Sequence, residues 1–448
     1  MRKRRTVFAL VAGAAMTLTT VVLAPAGMAA VSGSPLQAAA VACSAPTWAE
    51  GNTYTVGTQV TYGGHLYSAL VTHTAYPGAN WNPASTPSLW RDLGACTGGP
   101  TTPPTTPPTT PPTTPPTTPP TTPPTTTPPG GTCAVKSRPA GKVLVGYWEN
   151  WDGAANGVHP GLGWIPITDS RLKQHGYNVI NAAFPVIRSD GTVLWENGMD
   201  AGVKVSTPAE MCQAKADGAT LLMSIGGAAA GIDLSSSTVA DRFVATIVPI
   251  LKQYNFDGID IDIETGLTGS GSIGTLSTSQ ANLIRIIDGV LARMPSNFGL
   301  TMAPETAYVT GGSVTYGSIW GSYLPIIKKY VDNGRLWWLN MQYYNGSMYG
   351  CSGDSYSAGT VQGFVTQTQC LNNGLTIQGT TIRVPYDKQV PGLPAQSGAG
   401  GGYMSPSLVS QSWNNLNGSL KGLMTWSANW DGSRGWTFGD NLKSLQGR

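Results

Sequence analysis

The sequence predicts an α/β chain whose larger part is a (β/α)8 barrel, preceded by a small all-β module and a Thr/Pro-rich spacer. Three observations carry this expectation. From Cys133 onward, apolar β-rich runs recur with helix-compatible stretches between them, the alternation that a parallel barrel requires. Polar and aromatic residues gather at the ends of those runs, at Tyr147, Glu264, Glu305, Gln342, Tyr344 and Trp426, where such barrels carry their functional groups. One run, Asp257-Gly258-Ile259-Asp260-Ile261-Asp262-Ile263-Glu264, alternates acids with isoleucines and so reads as a strand.

The chain opens with Arg2-Lys3-Arg4-Arg5, an apolar run to about Leu23 and small residues at 26–30, the three regions of a signal peptide. Residues 1–30 are therefore expected to be a leader. A second Ala-x-Ala at 40–42 leaves the cleavage point open as far as residue 42, and Arg4-Arg5 leaves a twin-arginine route open. No later apolar run is long enough for a transmembrane span, so no membrane association is expected. The formal charge of +3 resides in the four basic residues of the leader, and only 11% of the chain is charged. Without a basic surface, nucleic-acid binding loses its electrostatic basis, whereas a weakly charged exterior suits an uncharged polymer. Six cysteines, an even number in an exported chain, favour disulfides. The absence of Cys-x-x-Cys and the presence of only four histidines argue against a transition-metal site.

Residues 43–96 form the expected small module, bracketed by Cys43 and Cys96. Short β-prone runs such as Gln59-Val60-Thr61-Tyr62 alternate with turn signals at Gly51-Asn52, Gly63-Gly64 and Pro77-Gly78. Trp48, Tyr54, Tyr62, Tyr67, Tyr76, Trp81 and Trp90 are more rings than so small a core can bury, and exposed rings stack on sugar faces. Trp48, Tyr62 and Trp90 are expected in the core and Tyr76 and Trp81 on a binding surface. Residues 97–132 repeat Thr-Thr-Pro-Pro, which cannot bury a core. At about 3.1 Å per residue this polyproline-II tract spans on the order of 100 Å, tethering two folded units.

Residues 133–448 are expected to supply the barrel, with strands near 143–148, 178–184, 220–227, 258–264, 300–305, 337–345, 389–394 and 422–430. In the fourth, Asp260, Asp262 and Glu264 share one face and three isoleucines the other. The β-branched face suits packing against helices, so the acids point inward and climb roughly 13 Å toward the strand's C-terminal end. Buried together, they cannot all ionise, and the outermost carboxyl is expected to carry a raised pKa, as a general acid near neutral pH requires. A solvated edge strand would mix Lys, Thr and Ser with the acids, and a calcium loop would place polar residues and glycine between them. Isoleucine spacers fit neither.

Asp257-x-x-Asp260-x-Asp262-x-Glu264 resembles the signature of family 18 glycoside hydrolases, the chitinases. That resemblance implies that Glu264 protonates the glycosidic oxygen, that Asp262 orients the substrate's acetamido group and that Asp260 supports Asp262 from below. Ser224-Ile225-Gly226-Gly227 resembles the family's Ser-x-Gly-Gly element, its hydroxyl within reach of a carboxylate such as Asp260. On Met341-Gln342-Tyr343-Tyr344-Asn345, Gln342 and Tyr344 face together and could hold an acetamido carbonyl. Met424-Thr425-Trp426-Ser427 resembles the strand whose Trp forms the floor under the cleaved sugar. Trp426, Tyr147, Ser224, Met302, Glu305 and Asn345 are the expected substrate contacts. Ala183-Phe184 and Trp426-Ser427 match positions of non-proline cis bonds in this fold. The N-terminal module, through Gly57-x-x-Val60-x-Tyr62-x-Gly64-x-x-Tyr67-x-Ala69, resembles carbohydrate-binding module family 5/12, but Ala69-Leu70-Val71-Thr72 stands where many relatives carry twin tryptophans.

The implied protein is a secreted monomeric chitinase without metal or organic cofactor. Its implied partners are chitin and chito-oligosaccharides, with no nucleic acid and no membrane. Two rivals remain at this level: an endoglycosidase that trims N-linked glycans, and a chitin-binding lectin without activity. Six cysteines allow fifteen pairings; Cys43 with Cys96 and Cys351 with Cys370 are reasonable by spacing, leaving Cys133 and Cys212.

Overall fold

The computed structural model describes residues 43–49, 52–69, 73–75, 82–84, 90–96, 131–154, 159, 161–228 and 231–448. The leader, nearly all of the spacer, and Tyr76 and Trp81 lie outside the described residues. The chain divides into two compact units, Met1–Pro116 and Thr117–Arg448.

In the first unit, Gln59–Tyr62, His65–Ala69 and Trp90–Ala95 form an antiparallel sheet, and Thr53–Tyr54 pairs with His73–Thr74. Gly63 and Gly64, at φ +54° and +79°, make the two-residue hairpin turn whose left-handed backbone excludes most other residues. Tyr54, Val60, Tyr67, Ala69, Ala75 and Trp90 are the core. Trp48 and Tyr62, expected inside it, instead sit half-buried at its margin, edge to face at 5.4 Å. Cys43–Cys96 closes the unit.

The second unit is an eight-stranded parallel barrel: Val143–Glu149 (β1), Val179–Ala183 (β2), Thr220–Gly226 (β3), Gly258–Asp262 (β4), Gly299–Met302 (β5), Trp338–Leu339 (β6), Gly392–Pro394 (β7) and Gly422–Trp426 (β8). Neighbouring strands pair in parallel from β6 through β1 to β7. The ring closes between β6 and β7 through Val390 N–H to Leu339 O (2.9 Å), Gly392 N–H to Met341 O (2.8 Å) and Tyr343 N–H to Gly392 O (2.9 Å). Strand four ends at Asp262, two residues before the expected limit. Strand six is also short: from Asn340 onward the chain holds its neighbours by single bridges, Glu305 with Gln342 and Gln342 with Gly392. The expected tail of strand eight is instead helical, because the Ser427 side chain caps Ala428–Gly432.

Helices follow the strands with sequence-encoded starts. Thr207 and Glu210 form a capping box at Pro208–Ala216 (α2), as do Ser277 and Gln280 at Thr278–Leu291 (α4). Between them lies Ser237–Gln253 (α3), which buries Ala240, Phe243, Val244, Ile247 and Leu251 at helical spacing. Gly289 of α4 lets α3 approach; a Cβ there would meet Val244 at 2.9 Å.

Period-two alternation divides the core into two layers. Outward residues, including Leu144, Trp148 and Ile259, Ile261 and Ile263, pack under the helices. Inward residues, including Val143, Val145, Tyr147, Leu222, Trp338, Val390 and Met424, fill the barrel. Burying the three isoleucine side chains contributes roughly 1.5–3 kcal/mol each, which offsets the cost of putting acids on the opposite face. Cys133–Cys212 and Cys351–Cys370 are bonded, and both expected peptide bonds, Ala183–Phe184 and Trp426–Ser427, are cis.

Candidate active site

The acids of β4 rise from the barrel interior to its mouth. Asp260, deepest, is fully buried and accepts four hydrogen bonds. Tyr147 Oη (2.6 Å) and Ser224 Oγ (2.8 Å) donate to one oxygen; Thr301 Oγ1 (2.5 Å) and Asn340 Nδ2 (3.0 Å) donate to the other. Donors thus converge from β1, β3, β5 and the segment after β6. Burial pushes the Asp260 carboxyl up, and these donors pull it back by favouring the charged form.

Asp262, one step up, accepts from Gln342 Nε2 at 3.0 Å. Burial, then the charges of Glu264 and Asp260, hold it well above the ordinary carboxylate range. Glu264, half-buried at the mouth, accepts from the same Nε2 at 3.1 Å, and burial raises its carboxyl too. The outermost acid is raised as expected, and Asp262, which lies deeper and between two other carboxyls, is raised as well. The Gln342 amide therefore ties Asp262 to Glu264, with Ala303 O a third acceptor at 3.0 Å.

The backbone carrying Glu264 is also held in place. Tyr323 Oη receives the Ile263 N–H at 3.1 Å and donates to Ile263 O at 2.9 Å, and Tyr308 Oη donates to Glu264 O at 2.7 Å. Tyr344 is buried beside Asp262 and Glu264, whose charges, after burial itself, push its phenol well above the usual range. Its hydroxyl makes no hydrogen bond among the described residues and is free for a ligand. Glu305, half-buried at the end of the neighbouring strand, has a carboxyl without a hydrogen-bond partner among the described residues, raised by burial. Trp426 is half-buried and clusters with Tyr147 (5.4 Å), Phe184 (5.9 Å, nearly parallel) and Trp151 (6.2 Å).

Four expected substrate contacts lie elsewhere. Met302 is fully buried in the outer layer, because Thr301 takes the inward position beside Asp260. Ser224 and Tyr147 lie beneath the groove, where their hydroxyls are occupied by Asp260. Asn345 reaches the surface with φ +61°, and its side-chain oxygen accepts from Gly401 N–H at 2.8 Å, tying down the loop after β7. Thr301, Asn340, Tyr308, Tyr323 and Trp151 were not singled out from sequence, and Phe184 only for its peptide bond. Asn340 stands two before Gln342 and four before Tyr344, so alternation alone could have found it; the loop tyrosines carry no such signal. Among the described residues no cluster of His, Cys, Asp and Glu has the arrangement to hold a metal ion.

A raised carboxylate pKa destabilises the fold once the group is forced to ionise. The stabilising neutral form of Asp262 is complete in acid and is lost as pH rises through the folded-state value. Asp262→Asn removes that titration, so its melting temperature should exceed the parent's at pH 8, at about 2–4 °C per kcal/mol for a domain of this size, and match it at pH 4. Thermal melts at both values check this; a gain of the same size at both pH values contradicts it.

A closed barrel with a carboxyl ladder at its C-terminal mouth and an aromatic wall beside it is the framework of a glycoside hydrolase. Residues 143–347 match the family described as Glycosyl hydrolases family 18, and residues 47–91 match Carbohydrate-binding module family 5/12. Endochitinase 37 of Trichoderma harzianum is 84% identical over 310 residues, covering 69% of this chain and 92% of that protein. Endochitinase 4 of Metarhizium robertsii (strain ARSEF 23 / ATCC MYA-3075) is 82% identical over 312 residues, covering 70% and 90%. Among solved structures, a family GH18 chitinase from Chromobacterium violaceum is 29% identical with a TM-score of 0.60, covering 90% of this chain and 100% of that one. The chain belongs to family 18 of the glycosyl hydrolases.

Proposed function

We propose that this protein is a secreted, endo-acting chitinase that hydrolyses the β-1,4 bonds of N-acetylglucosamine polymers with retention, the substrate supplying the nucleophile. The observation that carries this reading is the placement of the acids: Asp262 ends β4, Glu264 follows it by two residues, and Glu305 stands just past the end of the neighbouring β5. The strand across the mouth, β8, presents Trp426. A conventional retaining glycosidase needs a second carboxylate about 5 Å from the acid on the other side of the sugar. Here the sugar would lie on Trp426 with no acid opposite, which leaves its own 2-acetamido oxygen to attack.

Glu264 gives its proton to the glycosidic oxygen as the C1–O bond breaks, and the acetamido oxygen closes on C1 to form a cyclic oxazolinium ion. Asp262 lies beside the acetamido N–H and stabilises the positive charge, while the unpartnered Tyr344 hydroxyl donates to the carbonyl oxygen and holds it in line. Gln342, expected to share that carbonyl, is bonded to the two acids and acts as a positioning residue. Water then adds to C1, giving its proton to the Glu264 carboxylate, and the ring opens with the starting configuration restored. No step calls on a metal or organic cofactor.

The attached module favours chitin over glycoprotein, with Tyr76 and Trp81 as its proposed contact rings. The names of the two fungal relatives point to internal cleavage. The segment from β7 to β8 contains one helix, Pro406–Asn415 (α7), and no inserted domain to wall in the groove. The basic-apolar leader and three disulfides fit secretion. No helix among the described residues is long and apolar enough to cross a membrane. Incubation with colloidal chitin and with a high-mannose glycoprotein tests the reading. Chito-oligosaccharides of mixed length should appear from chitin at the first time points, with no glycan released from the glycoprotein. Dimers alone from the first turnovers, or released glycan, would count against it.

A further inference from the structure

The aromatic wall is rooted at the end of β1, and a histidine that the mechanism does not use is buried there. Glu149 and His159 are both wholly buried, with Glu149 Oε2 bonded to His159 Nε2 at 2.6 Å. Gly153 makes the room: a Cβ there would fall 2.0 Å from Nε2, and its carbonyl accepts the His159 N–H at 3.1 Å. The other carboxylate oxygen of Glu149 accepts from Ser427 Oγ at 2.5 Å, and the Glu149 N–H bonds Asn429 Oδ1 at 3.0 Å. Ser427 directly follows Trp426. The next residue of β1's end, Asn150, donates through Nδ2 to Phe184 O at 2.9 Å, and Trp151 stacks on the Phe184 ring at 6.5 Å. Residues 149–151 thus anchor all three rings of the wall.

The partners fix where the protons stand. His159 Nδ1 faces Leu162 O at 3.1 Å, and a carbonyl oxygen only accepts, so Nδ1 carries a hydrogen. Ser427 Oγ accepts from Trp430 N–H at 3.0 Å, so its own hydrogen goes to Glu149. One further proton lies between Nε2 and Oε2, because two bare lone pairs at that distance would repel. The pair holds together only while it keeps that proton. Glu149 is the charged group that acts on His159. The helix Ala428–Gly432 turns the Trp430 ring to it, edge to face at 5.5 Å, while Asp431 of that helix is taken by Tyr177 Oη and the N–H groups of Phe438 and Gly439. Asp152 lies against Gly163. Burial draws the imidazole down, and the bond to Glu149 and its charge outweigh that, leaving His159 raised. The bonded pair is therefore complete in acid and is lost as pH rises through the raised value. Buried ion pairs are a poor source of stability, so one kept at the root of the wall points to position instead.

We infer that His159 is a positioning residue for sugar binding: through Glu149 and Ser427 it holds Trp426 in the orientation on which the cleaved sugar stacks, and loss of the shared proton frees that floor. The inference rests on the chitinase reading. The proton never reaches the substrate. Stacking depends on the tilt and offset of the ring, so a freed indole weakens binding while Glu264 keeps its own supports.

Kinetics on the N-acetylglucosamine hexamer between about pH 5 and about pH 9 test this. In the parent, KM should rise on the alkaline side. His159→Gln removes the titration, and its KM should stand about three- to ten-fold above the parent's in acid, the range for one lost hydrogen bond, with kcat nearly kept and no alkaline rise. In a Trp426→Ala background the same substitution should leave KM unchanged, because its route to the sugar is gone. Ser427→Ala leaves the pair intact and cuts its link to the wall; it should reproduce the raised, pH-independent KM, and it carries the test if His159→Gln does not fold. An alkaline rise as large in either variant as in the parent, or losses from His159→Gln and Trp426→Ala that simply add, would overturn the role. A parent KM that stays flat across the range would do the same. A parent inert on the hexamer at every pH would instead overturn the chitinase reading beneath it.

Discussion

Replacing Glu264 by Gln should reduce hydrolysis of chitin oligomers by about three to four orders of magnitude while leaving their binding within a few-fold. Gln keeps the shape of the side chain and can still meet the Gln342 amide that now reaches Glu264 Oε1 at 3.1 Å. What it loses is the proton. General acid–base catalysis is worth about 10²–10⁴-fold, and one group serves both halves of this reaction, as acid and then as base. In the proposed reading, binding rests instead on the Trp426, Phe184 and Trp151 wall and on Tyr344, none of which depends on the Glu264 charge for its place. Rates by product chromatography and affinities by calorimetry separate the two effects. Turnover within ten-fold of the parent would remove Glu264 from the role proposed for it.

The second large effect lies in the substrate. Fully deacetylated chitosan of matched length should be cleaved at less than about a thousandth of the rate of chitin oligomers, because an amine offers no carbonyl oxygen to close on C1, and effective molarities of such intramolecular attacks reach about 10⁵–10⁸ M. The protein offers no replacement. Asp262 sits below Glu264 in the same segment, and Glu305 follows the neighbouring β5 on the same side of the mouth. Partly acetylated chitosan refines the test: every cut should leave an acetylated unit at the new reducing end, a pattern that mass spectrometry reads directly. Frequent cuts after deacetylated units would mean that a protein group attacks the sugar.

Much of this framework was legible in the sequence, for physical reasons that can be named. The β4 stretch combines two signals: its alternation says which side chains share a face, and its composition says which face is packed. Isoleucine and aspartate do not exchange places, so register and inside-outside sense followed together. The same alternation placed Gln342 with Tyr344, whereas the φ values of +111° and +84° at the two glycines after Ile225, which few other residues adopt, appear only in the structure. Met302 shows the limit. A short strand of mixed apolar and hydroxyl residues, Gly299–Met302, has no compositional contrast between its faces, and only the Thr301 bond to Asp260 settles which points inward. Strand six was over-extended because apolar and aromatic composition continues to Asn345 while the hydrogen-bond ladder does not. Tyr308 and Tyr323 could not be read at all: they act from a loop whose path is set by backbone bonds among Ala307, Gly317 and Gly321, contacts with no periodic trace in sequence. The order of pKa shifts along the ladder was similarly out of reach, since it depends on depth and on where Gln342 sends its single nitrogen.

The central claim is that a protonated Glu264 and the sugar's own acetamido oxygen act together at the barrel mouth. The most direct measurement is kcat on a series of oligomers whose N-acyl groups are acetyl, fluoroacetyl, difluoroacetyl and trifluoroacetyl, with the rest of the chain unchanged. Each fluorine draws electrons from the attacking oxygen, so the rate should fall steeply and monotonically across the series, by orders of magnitude from first to last. A flat series would contradict the claim and require a nucleophile from the protein.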